Sequence, residues 1–224
     1  MPLILILVEC GLELIPRHIR DHPSVKKNLS SKIYSSQLLD NALHHSAMKK
    51  LANLEKRGRP DITHLCLLNA LGSPLNKTGN LKLFIHTIKS RIFEFNPEIR
   101  ITRNYNRFKG LMAKLLIDNN INVNGSQLIS QFNGNISTLI NTFKTPDIFL
   151  LSRKGKFIQD YKQLFKEDFS KNIVCIIGGF QKRSYSEEIL KLSNKIISIS
   201  KYSLDAWVVI SKIINFYELY HNII

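Results

Sequence analysis

The chain is short of acid. Against 32 lysines and arginines stand only 17 aspartates and glutamates, a net charge of +15. Neither core packing nor ordinary small-molecule chemistry calls for that excess, and it points to a polyanionic partner. Cysteine is scarce as well: Cys10, Cys66 and Cys175 are odd in number and far apart, with no CxxC pair or Cys/His ligand spacing. Neither a disulfide framework nor a zinc site is suggested. Cys66 and Cys175 lie in apolar runs and read as small buried hydrophobes, not nucleophiles. His44, His45, His64 and His86 form no HExxH or other ligand spacing, so no metal is expected and they read as surface or satisfied interior imidazoles. Long apolar runs are missing too. Residues 3–8 lack a basic leader and are too short for a signal peptide or a span, and Asp205, Lys212 and Glu218 interrupt residues 204–220. A soluble, cytoplasmic chain with no membrane contact is expected. There is no GxGxxG and no GxxxxGK[ST], which disfavours a standard dinucleotide fold or P-loop.

What is present is enough for a core: 224 residues, 44% hydrophobic. Short β-like runs alternate with amphipathic stretches, the pattern of an α/β sheet with crossover helices. Residues 3–8 predict a buried strand, 21–36 a polar loop, 38–54 a helical stretch, and 62–71 a further apolar run. Residues 81–87 and 91–95 predict a hairpin arm. Between 104 and 117, Tyr105, Phe108, Leu111, Met112 and Leu115 recur at helical spacing. The Asn-, Ser- and Gly-rich stretch 119–135 reads as a surface excursion. In the last third, the runs 148–151, 173–177 and 196–199 are each followed by a polar or glycine-containing turn: Ser152-Arg153-Lys154-Gly155-Lys156, Gly178-Gly179-Phe180 and Ser200-Lys201-Tyr202-Ser203. Turns at strand C-termini form ligand crevices. The final helix is apolar around nearly its whole circumference, through Leu204, Trp207, Val208, Ile210, Ile213, Ile214, Phe216 and Tyr217. Such a helix must be enclosed by its own chain or by a second copy, and a twofold dimer is the commonest form of the latter.

Two polar clusters stand out. Arg57-Gly58-Arg59-Pro60-Asp61 is either a turn with an Arg–Asp ion pair, or a site in which Arg59 contacts a phosphate or base and Asp61 is a general base or base-edge acceptor. Arg100, Arg103, Arg107 and Lys109 are interleaved with Asn104, Tyr105, Asn106 and Phe108, and no acid occurs between Ile99 and Ile117. A solvated face would mix its signs; this one suits phosphates.

Together these segments resemble one family. Residues 57–64 with Leu67-Leu68-Asn69 and Ser73-Pro74-Leu75-Asn76, then 96–100 and 103–112, then Ile177-Gly178-Gly179-Phe180, Ile197-Ser198-Ile199 and Leu204-x-Ala206-Trp207 are similar, in order, to the ribosome-biogenesis pseudouridine N1-methyltransferases of the SPOUT class, most of all their archaeal branch. The resemblance implies a single α/β domain over 1–224, with a hairpin-like insertion at 78–100. It also implies a parallel sheet whose C-terminal part, 148–224, is threaded into a trefoil knot that binds S-adenosyl-L-methionine (SAM). It places SAM contacts at Leu151, Ser152, Gly178, Gly179, Phe180, Arg183, Ile199, Ser200, Lys201, Tyr202, Ser203 and Leu204. RNA contacts are implied at Arg57, Arg59, Asp61, Arg100, Arg103 and Arg107, with Asp61 and Arg59 catalytic. The implied activity is methyl transfer to N1 of a pseudouridine in small-subunit ribosomal RNA, by a homodimer acting in ribosome biogenesis. The alternatives are a non-catalytic rRNA-binding assembly factor and a SPOUT enzyme with another acceptor atom, such as a ribose 2′-oxygen. This sequence departs from the family pattern at Arg183, where a second glycine is expected, at Thr102, where proline is common, and through 119–135.

Overall fold

An apolar run without alternation suits a strand covered on both faces, and β1 (Leu3–Cys10) is such a strand. In the structure, a computed structural model describing residues 2–165 and 172–223, β1 lies parallel to β2 (Leu81–Thr87) on one side and β7 (Ile173–Gly178) on the other. The remaining strands are β3 (Ile92–Phe95), β4 (Asn120–Val123), β5 (Ser126–Phe132), β6 (Asp147–Phe157) and β8 (Ile196–Ser198). Among the described residues they form one sheet of order β4-β5-β3-β2-β1-β7-β6-β8. It is parallel from β2 to β8 and antiparallel from β2 to β4.

The helices are α1 (Pro23–Lys26), α2 (Asn41–Met48), α3 (Pro60–Gly72), α4 (Pro74–Lys77), α5 (Tyr105–Asp118), α6 (Ile136–Asn141), α7 (Glu187–Leu190) and α8 (Ala206–Tyr220). Leu3, Leu5 and Leu7 of β1 join a core with α3, α5 and α8, while Ile4, Ile6 and Val8 face α6 and α7. Each such side chain contributes about 1.5–3 kcal/mol by burial, so the two-sided strand anchors both layers. A third, smaller core of Ile15, Ile19, Val25, Leu39, Met48 and Leu51 holds the segment carrying α1 and α2.

Several expectations change. The 81–95 hairpin is present, but it is no arm: β2 is buried at every position except Lys82 and pairs with β1 at the centre of the sheet. The 119–135 excursion is a second hairpin, β4–β5, docked on β3. Its turn is Asn124-Gly125 with φ of +50° and +81°, a dipeptide that tolerates left-handed backbone and closes tight hairpins. The 62–71 run is the body of α3, started by Pro60 at its first turn. The helical stretch at 38–54 is confined to α2, with a 3₁₀ turn at Leu54–Lys56.

The expected turn 152–156 is instead part of β6, which pairs with β8 twice: Leu151 and Lys156 both partner Ile197. The chain between them crosses β8 so closely that a Cβ on Gly155 would lie 2.5 Å from the Ile197 nitrogen. Residues 1, 166–171 and 224, within the expected spans 1–224 and 148–224, lie outside the described residues. No described helix is long and apolar enough to cross a membrane.

Of the all-round apolar C-terminal helix, Ile210, Ile213, Ile214 and Tyr217 are buried within the chain, whereas Trp207 and Val208 are half-buried and Leu219 is exposed. Glu218, a charge near the end of that run, is buried and accepts the Leu75 backbone N–H at 2.7 Å.

Candidate functional site

The carboxyl ends of β6, β7 and β8 enclose a cavity of about 760 Å³, within the ~300–1,000 Å³ range of small-molecule sites. Ten of the twelve expected SAM contacts line it: Leu151, Ser152, Gly178, Phe180, Arg183, Ile199, Ser200, Tyr202, Ser203 and Leu204. Two do not. Gly179 packs against Leu7 and Cys10, where a Cβ would lie 2.5 Å from the Cys10 sulfur, and Lys201 is exposed with its ammonium over the Phe157 ring.

Leu151, Ile177, Ile197, Ile199, Leu204 and Val209 supply apolar wall, and the polar lining comes from the end of β6, with Arg153, Lys154 and Lys156, and from the loops after β7 and β8. Ser198 organises one of them, its hydroxyl donating to Ser200 O at 2.7 Å. A cavity with apolar walls and a polar rim fits a nucleoside carrying an amino-acid arm. Arg183 has a backbone φ of +96°, which explains why glycine suits that position. Its side chain bonds Asn53 Oδ1 at 2.8 Å and Glu55 at 3.3 Å.

The sequence reading missed what supports this wall. Glu9, next to last in β1, has a left-handed φ of +54°, and its buried carboxylate pairs with Lys56 Nζ at 2.7 Å. That ammonium sits 4.6 Å from the centre of the Phe180 ring. Tyr185, edge-on to Phe180, donates its hydroxyl to Leu151 O at 2.6 Å. The available signal was a single glutamate near the end of an otherwise apolar strand.

Beside the cavity lies the first turn of α3. Arg59 donates to both oxygens of Asp61, at 2.8 and 2.6 Å, and the two side chains remain 20% and 41% exposed. The Asp61 hydrogen bond raises the pKa of Arg59, helped by the charge of Asp205, the residue between cavity-lining Leu204 and Ala206. Helices α3 and α8 pack together, with Ser211 donating to Asn69 at 3.0 Å, and this contact sets the Arg59–Asp61 pair near the cavity mouth.

Arg57, expected among the RNA contacts, does not face outward. It is buried, with Nε and Nη2 each 2.6 Å from an oxygen of buried Glu13. Lys109 likewise leaves the basic cluster: it is buried against Asp40 at 3.0 Å. Arg100, Arg103 and Arg107 are exposed around the start of α5, where Asn104 caps the Arg107 N–H at 3.0 Å. His64 stacks on Phe108 and bonds Thr102 O at 2.7 Å, tying this segment to α3. His44, His64 and His86 are interior, and all three cysteines are buried. Burial pushes the Cys175 thiol up to about 12, which suits packing, not nucleophilic attack.

A family model described as EMG1/NEP1 methyltransferase matches residues 5–218. The chain is 42% identical over 226 residues to "Ribosomal RNA small subunit methyltransferase Nep1" of Staphylothermus marinus, covering 100% of this chain and 98% of that protein. To the protein of the same description from Saccharolobus solfataricus it is 41% identical over 215 residues, 95% of each chain. The crystal structure of Archaeoglobus fulgidus Nep1 bound to S-adenosylhomocysteine (SAH) matches with a TM-score of 0.85 at 32% identity, over 99% of this chain and all of that one.

Proposed function

The chain belongs to the EMG1/NEP1 methyltransferase family, and on that premise we propose that it methylates small-subunit ribosomal RNA, using SAM, at N1 of a pseudouridine. The observation that carries the reading is the cavity at the ends of β6, β7 and β8, lined by β6 itself and by the loops after β7 and β8, with Arg59–Asp61 within reach of Asp205 at its edge. When bound, SAM supplies an activated methyl group; the work of the protein is to bring an acceptor to it.

In this reading Arg100, Arg103 and Arg107 hold phosphates around a target lifted out of its stack, at a cost of a few kcal/mol that an unpaired loop reduces. Asp61, oriented by Arg59, accepts the N1–H hydrogen bond and takes its proton. In uridine that nitrogen carries the sugar, so isomerisation precedes methylation. Arg57 supports the loop through Glu13 and is not one of the contacts.

The rest of the reading is structural. The whole chain is one SPOUT domain, with 148–224 as its knotted part; the double pairing of β6 with β8 supports a threaded crossing. Trp207, Val208, Leu219 and the exposed Leu65 supply an apolar face for a homodimer, and the protein acts in the cytoplasm during ribosome biogenesis. Calorimetry tests the cofactor half: SAH binds one per chain without RNA, and Gly178→Leu, whose side chain meets the Phe180 ring, loses it. A folded sample that binds no SAH overturns the assignment. Sedimentation tests the dimer, and a fully active monomer refutes it.

A further inference from the structure

The acid-free surface does not end at Arg107. Residues 22–39 contain no aspartate or glutamate; Lys26 pairs with Asp21 at 3.1 Å, while Lys27 and Lys32 are exposed. At the apex of this segment Lys32, Ile33 and Tyr34 are all exposed, Ile33 to 54% and Tyr34 to 49%.

The apex is braced. Ser30 O accepts from Ser36 Oγ and from Gln37 Nε2, each at 2.6 Å, Ser36 Oγ accepts from Ser30 N at 2.8 Å, and Lys32 N donates to Ser30 Oγ at 3.3 Å. A tip fixed in this way presents its side chains at little entropic cost.

Its position is also fixed. The 3₁₀ turn Tyr34–Gln37 packs on α5, where a Cβ on Gly110 would lie 3.9 Å from Ser35 N. Gly110 is three residues beyond Arg107 and shares its helix face, so Tyr34 borders the face that carries Arg107. The carboxylate at this seam, Asp40, is buried and engaged by Lys109 at 3.0 Å and by the Tyr105 hydroxyl at 3.3 Å. It joins the two segments and leaves the outer surface cationic.

An aromatic ring held in water between Lys32 and the arginine-bearing face of α5 is the footprint of unpaired RNA: bases stack on the ring while phosphates meet the charges. The geometry points to Tyr34 as a stacking platform for an unpaired nucleotide flanking the target, with Lys32 on its phosphate. This rests on the RNA-methyltransferase reading and extends its footprint from α5 onto residues 30–37.

The test is fluorescence anisotropy with a labelled stem-loop RNA carrying pseudouridine in its unpaired loop, and with versions made abasic at each flanking position. Tyr34→Ala weakens binding about tenfold, about 1.4 kcal/mol, while Tyr34→Phe keeps the π face and stays within about twofold of the native chain. One abasic position weakens the native chain by the same factor and costs Tyr34→Ala nothing further. Lys32→Ala lowers the log–log salt slope by about 0.7, and SAH affinity is the same in every variant. If Tyr34→Ala and Lys32→Ala bind like the native chain while Arg107→Ala does not, the platform is wrong and the RNA reading stands. If the native chain binds none of these RNAs, both fall. If Tyr34→Ala changes sedimentation and not RNA affinity, the tip is a protein contact and the inference is overturned.

Discussion

The guanidinium of Arg59 holds both carboxylate oxygens of Asp61, two residues along and in the first turn of α3. A pair this well formed serves equally to fix a turn or to aim a base, and one substitution separates the two. Asp61→Asn keeps the shape and removes the charge. If the carboxylate takes the N1 proton, single-turnover methylation falls about 10²–10⁴-fold while RNA and SAH affinities stay within a few-fold. An unfolded protein or an unchanged rate assigns Asp61 to Arg59 as a structural partner.

Arg57 and Arg107 are both arginines of the basic motifs, and they should fail in opposite ways. Arg57→Ala leaves Glu13, whose side chain is 2% exposed, buried with Lys89 Nζ at 4.0 Å as its remaining cation, a loss of about 3 kcal/mol. Arg107→Ala and Arg103→Ala change stability by about 0.5 kcal/mol or less, yet weaken RNA binding and flatten its salt dependence. Denaturant titration set beside RNA titration checks both. Equal stability of the Arg57→Ala and Arg107→Ala chains would show that the Glu13 pair carries no weight.

The crossing at Gly155 makes a backbone prediction. A methyl group there meets backbone atoms of Ile196 and Ile197 at 2.5–2.6 Å, and a strand cannot yield as a flexible side chain can. Gly155→Ala should destabilise by about 3 kcal/mol or more and abolish SAH binding. Gly72→Ala, with nothing within 4 Å, is the neutral control. Comparable melting of both variants would contradict the crossing.

His86 sets the acid limit. Burial holds its imidazole down at about 4 against the ordinary 6.5, and its buried Nε2 has no hydrogen-bond partner among the described residues. Between those pH values the unfolded chain binds a proton that the folded chain refuses. Stability from this group is therefore whole above pH ~6.5 and falls by on the order of 3 kcal/mol as pH drops to ~4. Chemical denaturation at pH 7, 5.5 and 4.5 measures it, and His86→Gln flattens the slope. An equally steep slope in that variant would place the acid sensitivity elsewhere.

Much of this was readable in the sequence where local chemistry decides. The three apolar runs followed by polar residues located the cavity because strand ends and turns are short-range features. The period of residues 104–117 located α5 for the same reason. What escaped depends on contacts distant in sequence. Nothing local says that Arg57 and Lys109 turn inward, since their partners Glu13 and Asp40 lie 44 and 69 residues away. The 152–156 stretch looks like a turn because its polar residues and glycine answer to β8, some forty residues on. The β4–β5 hairpin is different: Asn124-Gly125 announced it, and the general polarity of 119–135 masked a signal that was there.

In the proposed reaction the methyl group goes to an atom that exists as an acceptor only after isomerisation of the base. Labelled SAM, the native protein in excess and two stem-loop RNAs identical except for uridine or pseudouridine at one loop position test it directly. Rapid label incorporation into the pseudouridine RNA and none into its uridine twin is the predicted result. Equal labelling of both would move the acceptor to the ribose or another position, and labelling of neither, by a protein that binds SAH and RNA, would leave an rRNA-binding assembly factor in place of an enzyme.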